Sequence, residues 1–132
     1  MSIAYISLGS NLGDRENNLR TALKYIEMAG IKVVAVSHFL ETEPYGVTDQ
    51  PKFINAAARL ETDLSPENLL DILLGIENKM GRVRTRHWGE RNIDLDLLLY
   101  DDVKMQTAKL TLPHPEMQKR DFVLIPLAEV KI

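Results

Sequence analysis

The stretch Ile93-Asp94-Leu95-Asp96-Leu97-Leu98-Leu99-Tyr100 opens with strict alternation of apolar and acidic residues. A period of two is that of a β-strand, whose successive side chains point to opposite faces. A strand here turns Ile93, Leu95, Leu97 and Leu99 toward a core. It sets Asp94 and Asp96 together on the other face, ~7 Å apart by strand rise. Asp101-Asp102 closes the strand as a turn.

Working back from this strand, residues 82–92 are polar and cationic and read as a loop. Before them, Ser65-Pro66-Glu67 is a helix start: a capping hydroxyl, a proline that needs no amide partner, and an acid in the first turn. Leu69, Leu73, Ile76 and Met80 line one face of that helix, and Gly81 ends it. Phe53–Glu61 reads as a strand with Phe53, Asn55 and Ala57 on one face. Pro44, Gly46 and Pro51 make Glu43–Lys52 a loop, and β-branched and aromatic residues make Lys32 to about Thr42 one strand. At the start of the chain, Ile3–Leu8 is a buried strand broken by Gly9, Ser10, Asn11 and Gly13. Asp14 then caps a helix whose Leu19, Ala22, Leu23 and Ile26 recur at helical spacing, with Gly30 as its stop. The order strand, helix, strand, strand, helix, strand is the split βαβ pattern. It predicts an α+β, ferredoxin-like βαββαβ sandwich, an antiparallel sheet with helices packed on one face. Residues 1–132 form one expected domain, because no linker separates a second. The tail from Val103 holds the alternating Leu110 and Leu112, then His114-Pro115, then an apolar run from Phe122 to Leu127.

The 132 residues suffice for one core, and 45% apolar with 27% charged is the balance of a soluble globular domain. No apolar run approaches the ~20 residues of a membrane span, so a cytoplasmic protein without a membrane partner is expected. The absence of cysteine excludes disulfides and thiolate metal sites. A net charge of −3 argues against a general nucleic-acid binder. Yet four of the eight arginines fall between Arg82 and Arg91, a local cation cluster suited to a small polyanion.

That cluster decides how the acids are read. A bare pair such as Asp94 and Asp96 also fits a strand side that simply faces solvent. Preceded by Arg82, Arg84, Arg86, His87 and Arg91, it gains the second ingredient of phosphoryl transfer. Carboxylates hold Mg²⁺ against phosphate oxygens, and arginine forks offset the charge on the transferred group. Mutual salt bridges between the acids and the arginines remain an alternative. Trp88 either covers a flat ligand or anchors its loop. Phe53 and Asn55 offer stacking and amide hydrogen bonds to a heterocycle, or packing and a surface amide. Glu77 by default faces solvent, and His114 sits in a proline-bounded turn. No G-x-x-x-x-G-K-[ST] or G-x-G-x-x-G is present. The residues alone reach as far as Mg²⁺-dependent chemistry on a phosphorylated ligand.

Taken together, Tyr5–Asn11 (YISLGSN), Gln50–Ala57 (QPKFINAA), Gly81–Arg84 (GRVR), Trp88–Asp96 (WGERNIDLD), Leu112–His114 (LPH) and Arg120-Asp121-Phe122 run in order across almost the whole chain. In this set the chain resembles the 6-hydroxymethyl-7,8-dihydropterin pyrophosphokinases of folate biosynthesis. The resemblance implies a ferredoxin-like fold and transfer of diphosphate from ATP to a pterin hydroxymethyl group, with AMP leaving. It implies that Asp94 and Asp96 bind two Mg²⁺ ions, and that Arg82, Arg91 and Arg120 lie near the phosphates and catalytic loops. Arg82 and Arg91 join the two acids as the expected catalytic set. Arg84 and Trp88 belong to a closing lid, Arg84 on the ATP side and Trp88 on the pterin side. Glu77, Arg84, Thr111, His114 and Arg120 are implied for ATP. Thr42, Tyr45, Phe53, Asn55, Trp88 and Phe122 are implied for the pterin, with Phe122 stacking on its ring. The expected partners are these two small molecules, and the expected state is a monomer.

Phe53, His87, Lys109 and Pro115 depart from the family pattern, the first by losing a tyrosine hydroxyl, and many members continue beyond the length of this chain. Two other functions fit parts of the same pattern. A Mg²⁺-dependent phosphohydrolase would use the same acids with water as nucleophile. An RNA-binding module on this fold would need aromatics and a basic sheet face, where this sequence places two acids.

Overall fold

The computed structural model describes residues 1–43, 51–81 and 92–132. Both long helices begin where their capping residues dictate. Asp14 accepts from the Asn17 amide at 3.2 Å to start α1 (Arg15–Met28). Ser65 accepts from the Asn68 amide at 3.2 Å to start α2 (Pro66–Lys79), with Pro66 in the first turn. Gly30 ends α1 at φ 88°, a left-handed conformation that a side chain would resist.

The sheet is built from β1 (Ser2–Ser10), β2 (Lys32–Val36), β3 (Leu40–Thr42), β4 (Phe53–Thr62) and β5 (Asp94–Tyr100). Its order is β2-β4-β1-β5, with β3 also paired to β4, and every pairing is antiparallel. The βαββαβ core is the expected one. A small hairpin, β6 (Met105–Gln106) and β7 (Thr111–Leu112), follows it. A 3₁₀ turn (Met117–Lys119) then leads into α3 (Asp121–Val130).

Alternation divides the sheet into two faces. Ala4, Ile6 and Leu8 of β1, Ala56, Ala58 and Leu60 of β4, and Leu95 and Leu97 of β5 pack against Leu19, Ala22 and Ile26 of α1 and Leu69, Leu73 and Ile76 of α2. Burying each such Leu or Ile contributes about 1.5–3 kcal/mol before entropy is counted. The one-face packing expected of the helices describes α1 and α2. The opposite face is covered by α3, whose Val123, Leu127 and Val130 join Met117 against Tyr5, Ala57 and Leu98. Nothing in the sequence reading assigned this helix: it is apolar on most sides and contains Pro126, which conceals its period. Polar contacts fasten it. Arg59 donates to the Val130 carbonyl at 2.7 Å, the Ile132 amide to the Tyr5 hydroxyl at 3.2 Å, and the His38 amide to Glu129 Oε1 at 2.9 Å.

Gly9 and Ser10, expected to break the first strand, belong to β1 and pair with Asn55 and Ile54 of β4; two further strand expectations need correction. The single strand expected from Lys32 to Thr42 is two, interrupted at Ser37–Phe39. The Ser37 amide donates to the Ala57 carbonyl at 2.9 Å, and its hydroxyl accepts from the Ala57 amide at 2.9 Å. A side chain thus replaces one rung of the ladder and breaks the strand geometry. Second, Leu99 does not share a face with Leu97. Tyr5 pairs with Leu99 and Ile6 with Leu97, so Leu98 is an extra residue, a β-bulge that resets the alternation. Leu98 and Leu99 both turn toward α3.

Candidate active site

Register places the acids. Asp94 pairs with Gly9 and Asp96 with Ser7, so both carboxylates leave the sheet on the α3 side at the open end of β1 and β5. Both are half-buried. On the neighbouring pair of strands, Gly9 lies opposite Asn55 and Ser7 opposite Ala57. Gly9 is needed there for space: a Cβ would stand 2.9 Å from Asn55 Oδ1. Asn55 is buried, and its amide donates to the Thr42 hydroxyl at 2.6 Å.

These residues line a cavity of about 540 Å³, open to solvent, whose walls include Thr42, Phe53, Asn55, Asp94, Asp96, Arg120 and Phe122. Phe53 and Phe122 supply aromatic faces and Asn55 an amide, a set suited to a flat polar ring. The Arg120 guanidinium lies 5.7 Å from the centre of the Phe122 ring and 3.9 Å from Glu116. The approach to β4 is held by Asn11, buried, which donates to the Pro51 carbonyl at 3.0 Å, and by Arg15, which donates to the Lys52 carbonyl at 2.8 Å.

A second, wider cavity of about 850 Å³ lies beyond the edge of β5. Leu70, Leu74 and Glu77 of α2, Thr107–Thr111 of the hairpin, His114 and Pro115 enclose it. Asp94 and Asp96 line this cavity too. Glu77, expected by default to face solvent, is 4% exposed, and its Oε2 accepts from the Leu95 amide at 2.7 Å. His114 hangs on the bulge, its amide donating to the Leu98 carbonyl at 2.9 Å. His114 Nδ1 accepts from the Glu116 amide at 3.1 Å, which leaves Nε2 to carry the proton in the neutral ring. Burial pushes this imidazole below its ordinary value and the Arg120 cation adds to the effect, while Glu116 and Asp94 pull the other way. Lys109 at the hairpin tip reaches Asp71 of α2 at 2.7 Å.

The structure therefore brings Thr42, Phe53, Asn55, Phe122 and Arg120 to one cavity, Glu77, Thr111 and His114 to the other, and Asp94 and Asp96 to both. Arg120, expected with the nucleotide set, lines the first cavity and acts electrostatically on His114 beside the second. Tyr45, Arg82, Arg84, Trp88 and Arg91, with His87, lie outside the described residues. Sequence reading gave Gly9 only the role of a strand breaker, and Leu70 and Leu74 no place at the site. A glycine inside a strand signals close approach, whereas leucines on a helix facing a cavity look like any core stripe.

Among the described residues no group of three or more His, Asp or Glu side chains is placed to cage a metal. A pair of half-buried carboxylates with room on both sides instead fits Mg²⁺, which takes one or two carboxylates and completes its shell with water and phosphate oxygens. No helix of the described residues is long and apolar enough to cross a membrane.

Two cavities that share one acidic pair leave room for a small ligand on each side of it. The sequence comparisons make this specific. The family model for 7,8-dihydro-6-hydroxymethylpterin-pyrophosphokinase matches residues 5–132, and the chain belongs to that family. It is 49% identical over 131 residues to 2-amino-4-hydroxy-6-hydroxymethyldihydropteridine pyrophosphokinase of Haemophilus influenzae, covering 98% of this chain and 82% of the relative. The Bacillus subtilis enzyme of the same name is 47% identical over 130 residues, covering 98% and 78% respectively. The mitochondrial folate synthesis bifunctional protein of Arabidopsis thaliana is 46% identical over 125 residues, 95% of this chain but 23% of that longer protein.

Proposed function

We infer that this chain transfers a diphosphate group from Mg²⁺-ATP to the hydroxymethyl group of 6-hydroxymethyl-7,8-dihydropterin, a reaction of folate biosynthesis. The observation that carries the reading is that Asp94 and Asp96 line both cavities at once. The first cavity takes the pterin between Phe53 and Phe122, with Asn55 hydrogen-bonding the ring. The second takes ATP, its base against Leu70 and Leu74 and its phosphates directed toward the acids past Thr111 and His114. Arg120 stands at the junction, and Arg91, three residues before Asp94, adds positive charge, as do Arg82 and Arg84. Thr42 supports Asn55, and Tyr45 and Trp88 complete the pterin side.

Asp94 and Asp96 would hold Mg²⁺, two ions when both substrates are bound, and the metal supplies charge that offsets the phosphate oxygens. The residues of the chain contribute position. With the pterin stacked and the triphosphate laid across the acids, the hydroxymethyl oxygen is aligned with the β-phosphorus. The new bond joins that oxygen to the β-phosphorus as the bond from the β-phosphorus to the α,β-bridging oxygen breaks, and AMP leaves. The alcohol proton passes to solvent, and no side chain is assigned as general base. Neither hydrolysis of a phosphate ester nor RNA binding draws support from the family match.

The test is AMP formation from ATP and Mg²⁺, with and without the pterin alcohol, in the native chain and in Asp96→Ala. Pterin-dependent AMP that the variant loses supports both the reaction and the site. Inorganic phosphate release without pterin would turn the reading to a hydrolase. Metal titration with a non-hydrolysable ATP analogue and the pterin is expected to give two ions per chain.

A further inference from the structure

We propose that Glu77 is a positioning residue that aims the Asp94–Asp96 pair by fastening the backbone between them. The proposal deepens the preceding reading and rests on it. Among the described residues β5 is the edge strand of its sheet, bonded to β1 on one side only. In such a strand every second amide points outward, away from the ladder. The outward amide at Leu95 is the one between the two acids, and it donates to Glu77 Oε2 at 2.7 Å. Glu77 is well suited to hold it. It is 4% exposed and projects from the last turn of α2, whose Leu69, Leu73 and Ile76 are packed into the core. The helix is a rigid mount, and a charged acceptor at this length makes a strong bond.

Asp94 and Asp96 flank Leu95, so a rotation of the peptide units at Leu95 redirects both carboxylates together. On their other side they are held by pairing to Gly9 and Ser7. The bond from Glu77 completes a two-sided clamp on three residues. Glu77 lines the nucleotide cavity as well, but the geometry gives it work that needs no nucleotide: it keeps two metal-directed carboxylates aligned in the free protein. What the role requires is an acceptor at this reach.

Two substitutions separate reach from charge. Glu77→Gln keeps an oxygen at the same distance and loses the charge. Glu77→Asp keeps the charge and withdraws the acceptor by one methylene. Positioning predicts that Glu77→Gln, which keeps an oxygen acceptor at the same reach, loses less apparent Mg²⁺ affinity than Glu77→Asp. It predicts that Glu77→Asp loses roughly 10- to 100-fold in apparent Mg²⁺ affinity or in kcat, the range for removing the support of a metal-directed ligand. The pterin KM is expected to stay unchanged in both.

Hydrogen exchange at the Leu95 amide, measured by NMR without nucleotide, pterin or metal, provides a readout that activity does not affect. Exchange should accelerate in Glu77→Asp and remain slow in Glu77→Gln. Loss of function in Glu77→Gln with native behaviour in Glu77→Asp would overturn the proposal and assign the role to charge. A raised ATP KM with unchanged Mg²⁺ dependence and unchanged Leu95 exchange would also overturn it, in favour of a direct nucleotide contact. If the native chain gave no pterin-dependent AMP, the functional reading would fail, while the exchange measurement would still decide whether Glu77 fastens β5.

Discussion

Replacing Gly9 by alanine adds one methyl group to a strand whose backbone accommodates it without strain, so its effect isolates a single contact. The new Cβ would lie 2.9 Å from Asn55 Oδ1 and 3.6 Å from Phe53 Cδ1. The second is an ordinary contact. The first is too short by about half an ångström for carbon against oxygen, and Asn55 cannot yield freely, being 8% exposed and held by Thr42 at 2.6 Å. Moving its amide weakens that hydrogen bond, a loss of about 0.5–1.5 kcal/mol. Overpacking adds about 1–3 kcal/mol. Gly9→Ala should therefore destabilise the fold by about 2–4 kcal/mol, a drop of roughly 6–16 °C in Tm at 3–4 °C per kcal/mol for a chain of this size. Its functional signature is selective. A displacement of the ring-facing amide should raise the pterin KM by at least about tenfold, while the ATP KM and the Mg²⁺ dependence stay native. Thermal unfolding and steady-state AMP formation with each substrate varied in turn measure both effects. Native stability with a native pterin KM would refute the claim that Gly9 reserves space for Asn55.

Ser37→Ala leaves the buried Ala57 amide without its hydroxyl acceptor, and denaturant unfolding should show a loss of about 1–3 kcal/mol. Asp101 holds both the amide and the carbonyl of Ile3 at 2.7 Å from a backbone at φ 47°. Asp101→Ala should cost about 1–2 kcal/mol by the same measurement, from a lost bond at a position where alanine is disfavoured. His114 is held below its ordinary value of 6.5, so as pH falls through 6.5 the unfolded chain takes up its proton first. Stability present above that pH is lost on acidification until the folded imidazole also titrates; His114→Asn should flatten this part of a stability-against-pH curve. Breaking the exposed pair Lys109–Asp71 by Lys109→Ala should change stability by less than about 1 kcal/mol.

Much of this arrangement is legible in the sequence because it depends on local rules. Asp14 and Ser65 are capping residues followed by helical spacing, and both helices start at them. Alternation in Asp94–Leu97 gave the strand and the shared side of the acids, and register with Gly9 and Ser7 confirmed it. What stayed hidden depends on contacts between distant residues. Leu98 looks like its neighbours, and only pairing with Tyr5 and Ile6 reveals the bulge. Ser37 breaks a β-branched run by bonding to Ala57, twenty positions away. Glu77 belongs to a helix face that reads as solvated, and its burial follows from the arrival of β5 beside α2. For α3, apolar residues on most sides and an internal proline left no period to read.

The outer side of β5 has a consequence for the behaviour of the protein at high concentration. A bare sheet edge offers unpaired amides and carbonyls to any extended peptide that meets it, and is a common starting point for aggregation. Here the Leu95 amide is taken by Glu77 and the Leu98 carbonyl by the His114 amide. A foreign strand would have to displace a buried carboxylate and a tethered loop before it formed its first bonds. The contacts that shape this edge thus also guard it against self-association, and a variant that loosens them should lose solubility.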